Sequence, residues 1–162
     1  GKDLRRVTRE FDLEPVFSPD GSQLAFGHVI KPGTAEQEVQ SIDVVGFDGT
    51  DRREIVPPTA GLQHVDWSPD GTWITFNTEP LAGVVDQPSH RGSVFAVHPD
   101  GTRLHVLVPA TRKWVFFKPV WSPDGKRIAY LAEGEPKVVN GILDGIARKA
   151  RPKEFAAERG AR

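Results

Sequence analysis

The chain has 162 residues, with 21 Lys+Arg against 22 Asp+Glu, no cysteine and no methionine. That length suffices for one domain with a substantial core, and the near-cancelling charge creates no global field toward nucleic acid or an anionic membrane surface. The lack of cysteine excludes a disulfide framework, thiolate metal centres and a Cys nucleophile, and no apolar run approaches the ~20 residues of a spanning helix.

No basic-then-apolar leader opens the chain, so an export signal is expected to have been removed or never used. Gly1 to Thr8 aligns with Gly49 to Val56 further on. Residues 2–8 are therefore expected to form an orphan outer strand whose blade partners are missing. A first full unit, about 9–56, follows. Its strands are predicted at 14–18, 23–27, 41–47 and 52–56, with the turn Ser18-Pro19-Asp20-Gly21 joining the first pair and Asp48-Gly49 the last.

The same plan repeats over 57–108, with strands at 64–68, 73–77, 93–98 and 103–108. Ser68-Pro69-Asp70-Gly71 and Asp100-Gly101 are its turns. A third unit, 109–151, places strands at 118–122, 127–131, 137–143 and 146–151 around Ser122-Pro123-Asp124-Gly125 and Asp144-Gly145. The Ser-Pro-Asp-Gly turns recur 50 and 54 residues apart, a period suited to radially arranged β units. In each turn Pro presets φ, Asp bonds its own backbone, and Gly takes the left-handed position. Leu24, Phe26, Ile74, Phe76, Ile128 and Tyr130 alternate with smaller or polar residues, the period of a strand. Phe17, Trp67 and Trp121 precede the turns as core rings. A basic tail, 152–162, closes the chain.

The three tetrads with their preceding aromatics, and the Asp-Gly-Thr turns that trail them, resemble the WD40-like repeats of TolB-type β-propellers over residues 1 to about 151. The resemblance implies an all-β propeller segment of three four-stranded antiparallel blades plus the orphan strand. Three blades do not close a ring, since propellers use ~4–8. Completion to six is expected from missing sequence or from pairing of two copies. The resemblance also implies a periplasmic or extracellular location and a role in presenting a surface to protein partners. Similar propellers cap the active sites of prolyl oligopeptidase-type peptidases, and a few act as polysaccharide lyases; fold alone does not choose among these.

No Gly-x-Ser-x-Gly elbow, phosphate loop or dinucleotide fingerprint is present. The chemistry-bearing residues that remain are histidines and their neighbours. His28 and His90 fall in the long connections 28–40 and 77–92, and His64 opens a first strand, so all three are expected on one face. His64 aligns with Glu14 and Lys118, which are expected near the mouth of the central channel, and Glu79, Asp86 and Arg91 lie close in sequence. This set suits either a divalent metal or a general base, or else ordinary solvated loop residues; no metal or cofactor is assigned to it. Leu81, Val84 and Val85 in the second long connection suit packing on a blade or contact with a partner. The connection 109–117 offers Trp114, Phe116 and Phe117 beside Arg112 and Lys113, an interface-like patch.

These features favour a non-enzymatic binding or scaffold module that holds a protein or peptide on its long-loop face. Carbohydrate is the second ligand class that Trp114 suits, and nucleic acid is not expected. The alternatives are a propeller enzyme acting on a polysaccharide or ester, and a gating propeller of a peptidase.

Overall fold

A computed structural model describes residues 6–33, 38–78, 92–111, 114–134 and 139–144. Among these the chain is all-β, with eleven strands in three antiparallel sheets. The first blade comprises β1 (Asp12–Phe17), β2 (Gln23–Lys31), β3 (Val39–Gly46) and β4 (Arg53–Ala60), hydrogen-bonded in chain order. The second comprises β5 (Leu62–Trp67), β6 (Ile74–Thr78), β7 (Val94–Val97) and β8 (His105–Val108), also in order. The third holds β9 (Trp114–Trp121), β10 (Arg127–Gly134) and β11 (Val139–Asp144). Its expected fourth strand, 146–151, and the tail lie outside the described residues. No described helix is long and apolar enough to cross a membrane.

The turns explain the sheets. Ser18, Ser68 and Ser122 each donate Oγ–H to the Asp two residues on, at 2.6, 2.7 and 2.7 Å. Each Oγ also accepts the amide five residues on, at 2.9 Å in all three. Backbone bonds from Gly21, Gly71 and Gly125 back to the Ser carbonyl complete the loop, and all three glycines sit at φ between 66° and 74°. The carboxylate of Asp20 is held down to about 2 by the Ser18 hydroxyl and then by the Ser22 amide and hydroxyl. Ser18 Oγ–H and Ser122 Oγ–H likewise anchor turns whose carboxylates gain from ionisation; Asp124 is lowered mainly by Ser122.

Between the first two blades, Ala25, Ile42, Val44, Ile55 and Val56 meet Leu62, Val65, Trp67, Ile74, Phe76 and Val97 in one buried layer. Between the second and third, Trp73, Val94, Ala96 and Leu107 meet Trp121 and Ile128. The first strands β1, β5 and β9 are in contact in succession, which sets them side by side at the centre of the fan.

Several features differ from the sequence-based expectation. Trp67 and Trp121 are buried as expected, but Phe17 is 57% exposed, its ring beside the similarly open Phe47 and not in the core. β2 runs to Lys31 because its ladder with β3 continues through Val29↔Gln40 and Lys31↔Val39; His28 is therefore a strand residue and not a loop residue. β4 continues through Pro57 and Pro58, which an outermost strand tolerates because its free edge needs no amide donor. β9 begins at Trp114, so 114–117 is strand, and Trp114 pairs with Gly134. Residues 6–8 carry no ladder. Even so, a Cβ on Gly49 would lie 3.3 Å from the Val7 carbonyl, and one on Gly101 would lie 3.5 Å from the Ile55 carbonyl. Val7 thus approaches the first blade as the outer strand of that blade approaches the second.

Candidate functional site

Each first strand breaks its register at the same place. The irregularities fall between Leu13 and Val16, between Gln63 and Asp66, and between Phe117 and Val120. At each break one non-glycine residue is left-handed: Glu14 at φ 50°, His64 at 57° and Lys118 at 53°. A β-bulge of this kind re-aims a side chain, and an L-residue in this conformation costs roughly 1–2 kcal/mol. The three bulges line one cavity of about 470 Å³, formed by residues 14–16, 64–66 and 118–120.

A chain of polar contacts ties the bulges together. His64 N–H donates to Glu14 Oε2 at 2.5 Å, and His64 Nε2 lies 3.9 Å from Glu14 Oε1. Asn77, fully buried, uses its Oδ1 to accept from Lys118 N–H at 3.0 Å and to meet His64 Nδ1 at 3.0 Å. Nδ1 is the donor in that contact, because the amide oxygen only accepts. Trp121 N–H donates to Asp66 Oδ2 at 2.7 Å. Burial raises the Asp66 carboxyl above its ordinary 3.8, against the opposing effect of amide donation from Trp121 and Trp67. The mouth therefore presents a carboxyl, an imidazole and an amine side chain from the bulges of three neighbouring strands.

Glu14, His64 and Lys118, which share one repeat position, line the same cavity. The structure does not bring His28 to them. His28 Nδ1 pairs instead with Asp12 Oδ1 at 2.8 Å, and it does not line the cavity. Trp114 is half-buried at the start of β9, with its amide on Thr111 Oγ1 at 2.9 Å; it is not the tip of a free loop. Asp86, His90 and Arg91 lie outside the described residues, as do Glu79, Leu81, Val84, Val85, Arg112 and Lys113. Asp66 and Asn77 are the site residues that reading by motif misses. The repeat carries their signal: Asp66 stands where Val16 and Val120 stand in the other units, and Asn77 where Gly27 and Leu131 stand.

A second cleft of about 590 Å³ lies at the turn end, between residues 18–23, 67–72 and 98–100. Arg53 spans it, donating from Nε to the Pro99 carbonyl and from an Nη to Gln23 Oε1, both at 3.1 Å. Its polar groups serve the turns and the seam between blades.

Comparison with solved structures gives the fold its place. A TolB from Agrobacterium tumefaciens superposes with a TM-score of 0.66 at 17% identity, over 87% of this chain and 48% of that one. This is a TolB-type β-propeller fold. The propeller is also similar to an oligogalacturonate lyase from Vibrio parahaemolyticus (TM-score 0.62, 14% identity, 88% of this chain and 39% of that one). A puromycin-hydrolysing peptidase from Mycobacterium tuberculosis matches at 0.60 and 20% identity, over 85% of this chain and 21% of that one. The chain thus spans half or less of the length of each. No family model matches the propeller, and no curated protein is similar to it by sequence.

Proposed function

We propose that the chain is a non-enzymatic binding module that holds an extended segment of a protein or peptide partner at the mouth formed by the three bulges. The observation that carries this is the triple left-handed bulge at Glu14, His64 and Lys118 around one cavity. The backbone is strained three times in the same way, yet the three side chains differ in charge, which suits recognition more than packing. Glu14 suits a basic side chain or an amino group of the partner, and Lys118 an acidic one. The solved TolB-type neighbours support a role in protein contacts, and with it a periplasmic or extracellular location.

The test is binding of a charged peptide library to the whole chain and to Glu14→Gln with Lys118→Met. Loss of ~10-fold or more in affinity at an unchanged melting temperature is expected, in line with removal of a positioned charge pair. Unchanged binding in that double variant, or turnover of a polysaccharide or ester that His64→Ala abolishes, would overturn the reading in favour of an enzyme. The long connection 77–92 is proposed to belong to the same binding face, so deletion of 81–88 should weaken binding as well.

A further inference from the structure

Strand register allows the first two blades to be compared position by position. Asp12 pairs with His28 where Leu62 pairs with Thr78, and Phe26 pairs with Asp43 where Phe76 pairs with Phe95. In the second blade this face is the apolar layer against its neighbour. In the first, three of the equivalent positions are ionisable. The repeat does not require them, and they gather around Arg52.

We propose that Glu10, Asp12 and His28 bind a divalent transition-metal ion of the zinc or manganese class. One ligand atom from each lies within 4.8 Å of the others, with His28 Nδ1 2.8 Å from Asp12 Oδ1 and 3.8 Å from Glu10 Oε2. One imidazole and two carboxylates form a donor set for a borderline ion, and water fills the remaining positions.

A second observation is independent of the clustering. Asp12 Oδ2 is buried and has no hydrogen-bond partner among the described residues, and the Asp12 side chain is only 11% exposed. Oδ1 of the same carboxyl already meets His28 at 2.8 Å and lies 4.0 Å from Arg52 Nη2, so Oδ2 is the oxygen withdrawn from water that a further cation would satisfy. Charge gives the same answer. Three carboxyl groups, those of Glu10, Asp12 and Asp43, face a single guanidinium, Arg52. Arg52 Nη1 donates to Glu10 Oε2, but two further contacts hold the guanidinium: Nε donates to Asp43 Oδ2 at 2.8 Å, and the group lies 5.3 Å from the centre of the Phe26 ring. It stays there when Glu10 turns to the ion. His28 then carries its proton on Nε2 and presents the Nδ1 lone pair.

Isothermal titration of the chelator-stripped chain with zinc or manganese chloride tests this, with calcium chloride as the hard-ion comparison. One saturable site is expected for zinc or manganese. Glu10→Gln and His28→Gln should each weaken it ~10-fold or more, at least the loss seen when the supports of metal ligands are removed. Glu10 is half exposed, 55%, so its variant keeps the fold, which circular dichroism checks. His64→Gln should leave the affinity unchanged. Absence of saturable zinc or manganese binding at millimolar metal overturns the proposal, as does binding that survives both Glu10→Gln and His28→Gln or that calcium reproduces without need of His28.

Discussion

Three copies of one turn in different surroundings allow the cost of burial to be measured inside a single molecule. Ser68 is fully buried and Ser122 is half-exposed, yet their hydroxyls make the same bonds to the Asp two residues on and the amide five residues on. Removing either hydroxyl deletes a hydrogen bond to a charged acceptor and orphans one backbone amide. At Ser122 water reaches the orphaned groups, so Ser122→Ala should cost about 1 kcal/mol. At Ser68 the amide left behind belongs to Trp73, which is 3% exposed, and water does not replace the lost acceptor. The desolvation penalty then adds to the lost bond, and Ser68→Ala should cost about 2–3 kcal/mol. For a chain of this size that corresponds to a melting temperature lower by about 5–10 °C, against about 2–4 °C for Ser122→Ala. Urea unfolding followed by tryptophan fluorescence reads both. Equal losses, or a larger loss at Ser122, would refute the argument that burial and not the bond inventory sets the strength of the motif.

Two further outcomes follow from the packing. Asp66 binds its proton more tightly in the folded chain than in the unfolded one, so its effect on stability is most favourable below its ordinary 3.8 and is lost as pH rises through the raised value. Asp66→Asn should therefore be more stable than the parent at neutral pH, with the gap closing in acid; a gap that widens in acid contradicts the burial argument. Gly92 sits at φ 51°, where an added Cβ would lie 2.6 Å from Val115 Cβ, and its carbonyl accepts from Phe116 N–H at 2.5 Å. Gly92→Ala should cost about 2 kcal/mol through left-handed strain and overpacking, measured by the same unfolding curves.

Much of this architecture is legible in the residues because its turns are local. Ser, Pro, Asp and Gly act within five positions, so the first hairpin of every unit lies where it is predicted. The boundaries that moved depend on partners far along the chain. His28 and Lys31 read as loop in isolation, and only the ladder to Ser41 and Val39 makes them strand. Pro57 and Pro58 read as a stop until β4 is known to be an edge. The site divides the same way. Glu14, His64 and Lys118 share a repeat position and so are found by alignment, whereas Asp66 and Asn77 matter through bonds to the next blade, to Trp121 and Lys118. The grouping of Glu10, Asp12 and His28 joins a pre-strand residue to two strands and has no signature in spacing.

The contacts at the mouth have a double duty. Glu14 reaches His64, Asn77 reaches Lys118 and Asp66 reaches Trp121, each from one blade to the amide of the next. A ligand that draws the Glu14 carboxylate toward itself loosens a clasp between the first two sheets, and a ligand that leaves the clasp closed forgoes that charge. Affinity and rigidity thus trade against one another at the same atoms, so improving one by exchanging a mouth residue spends the other.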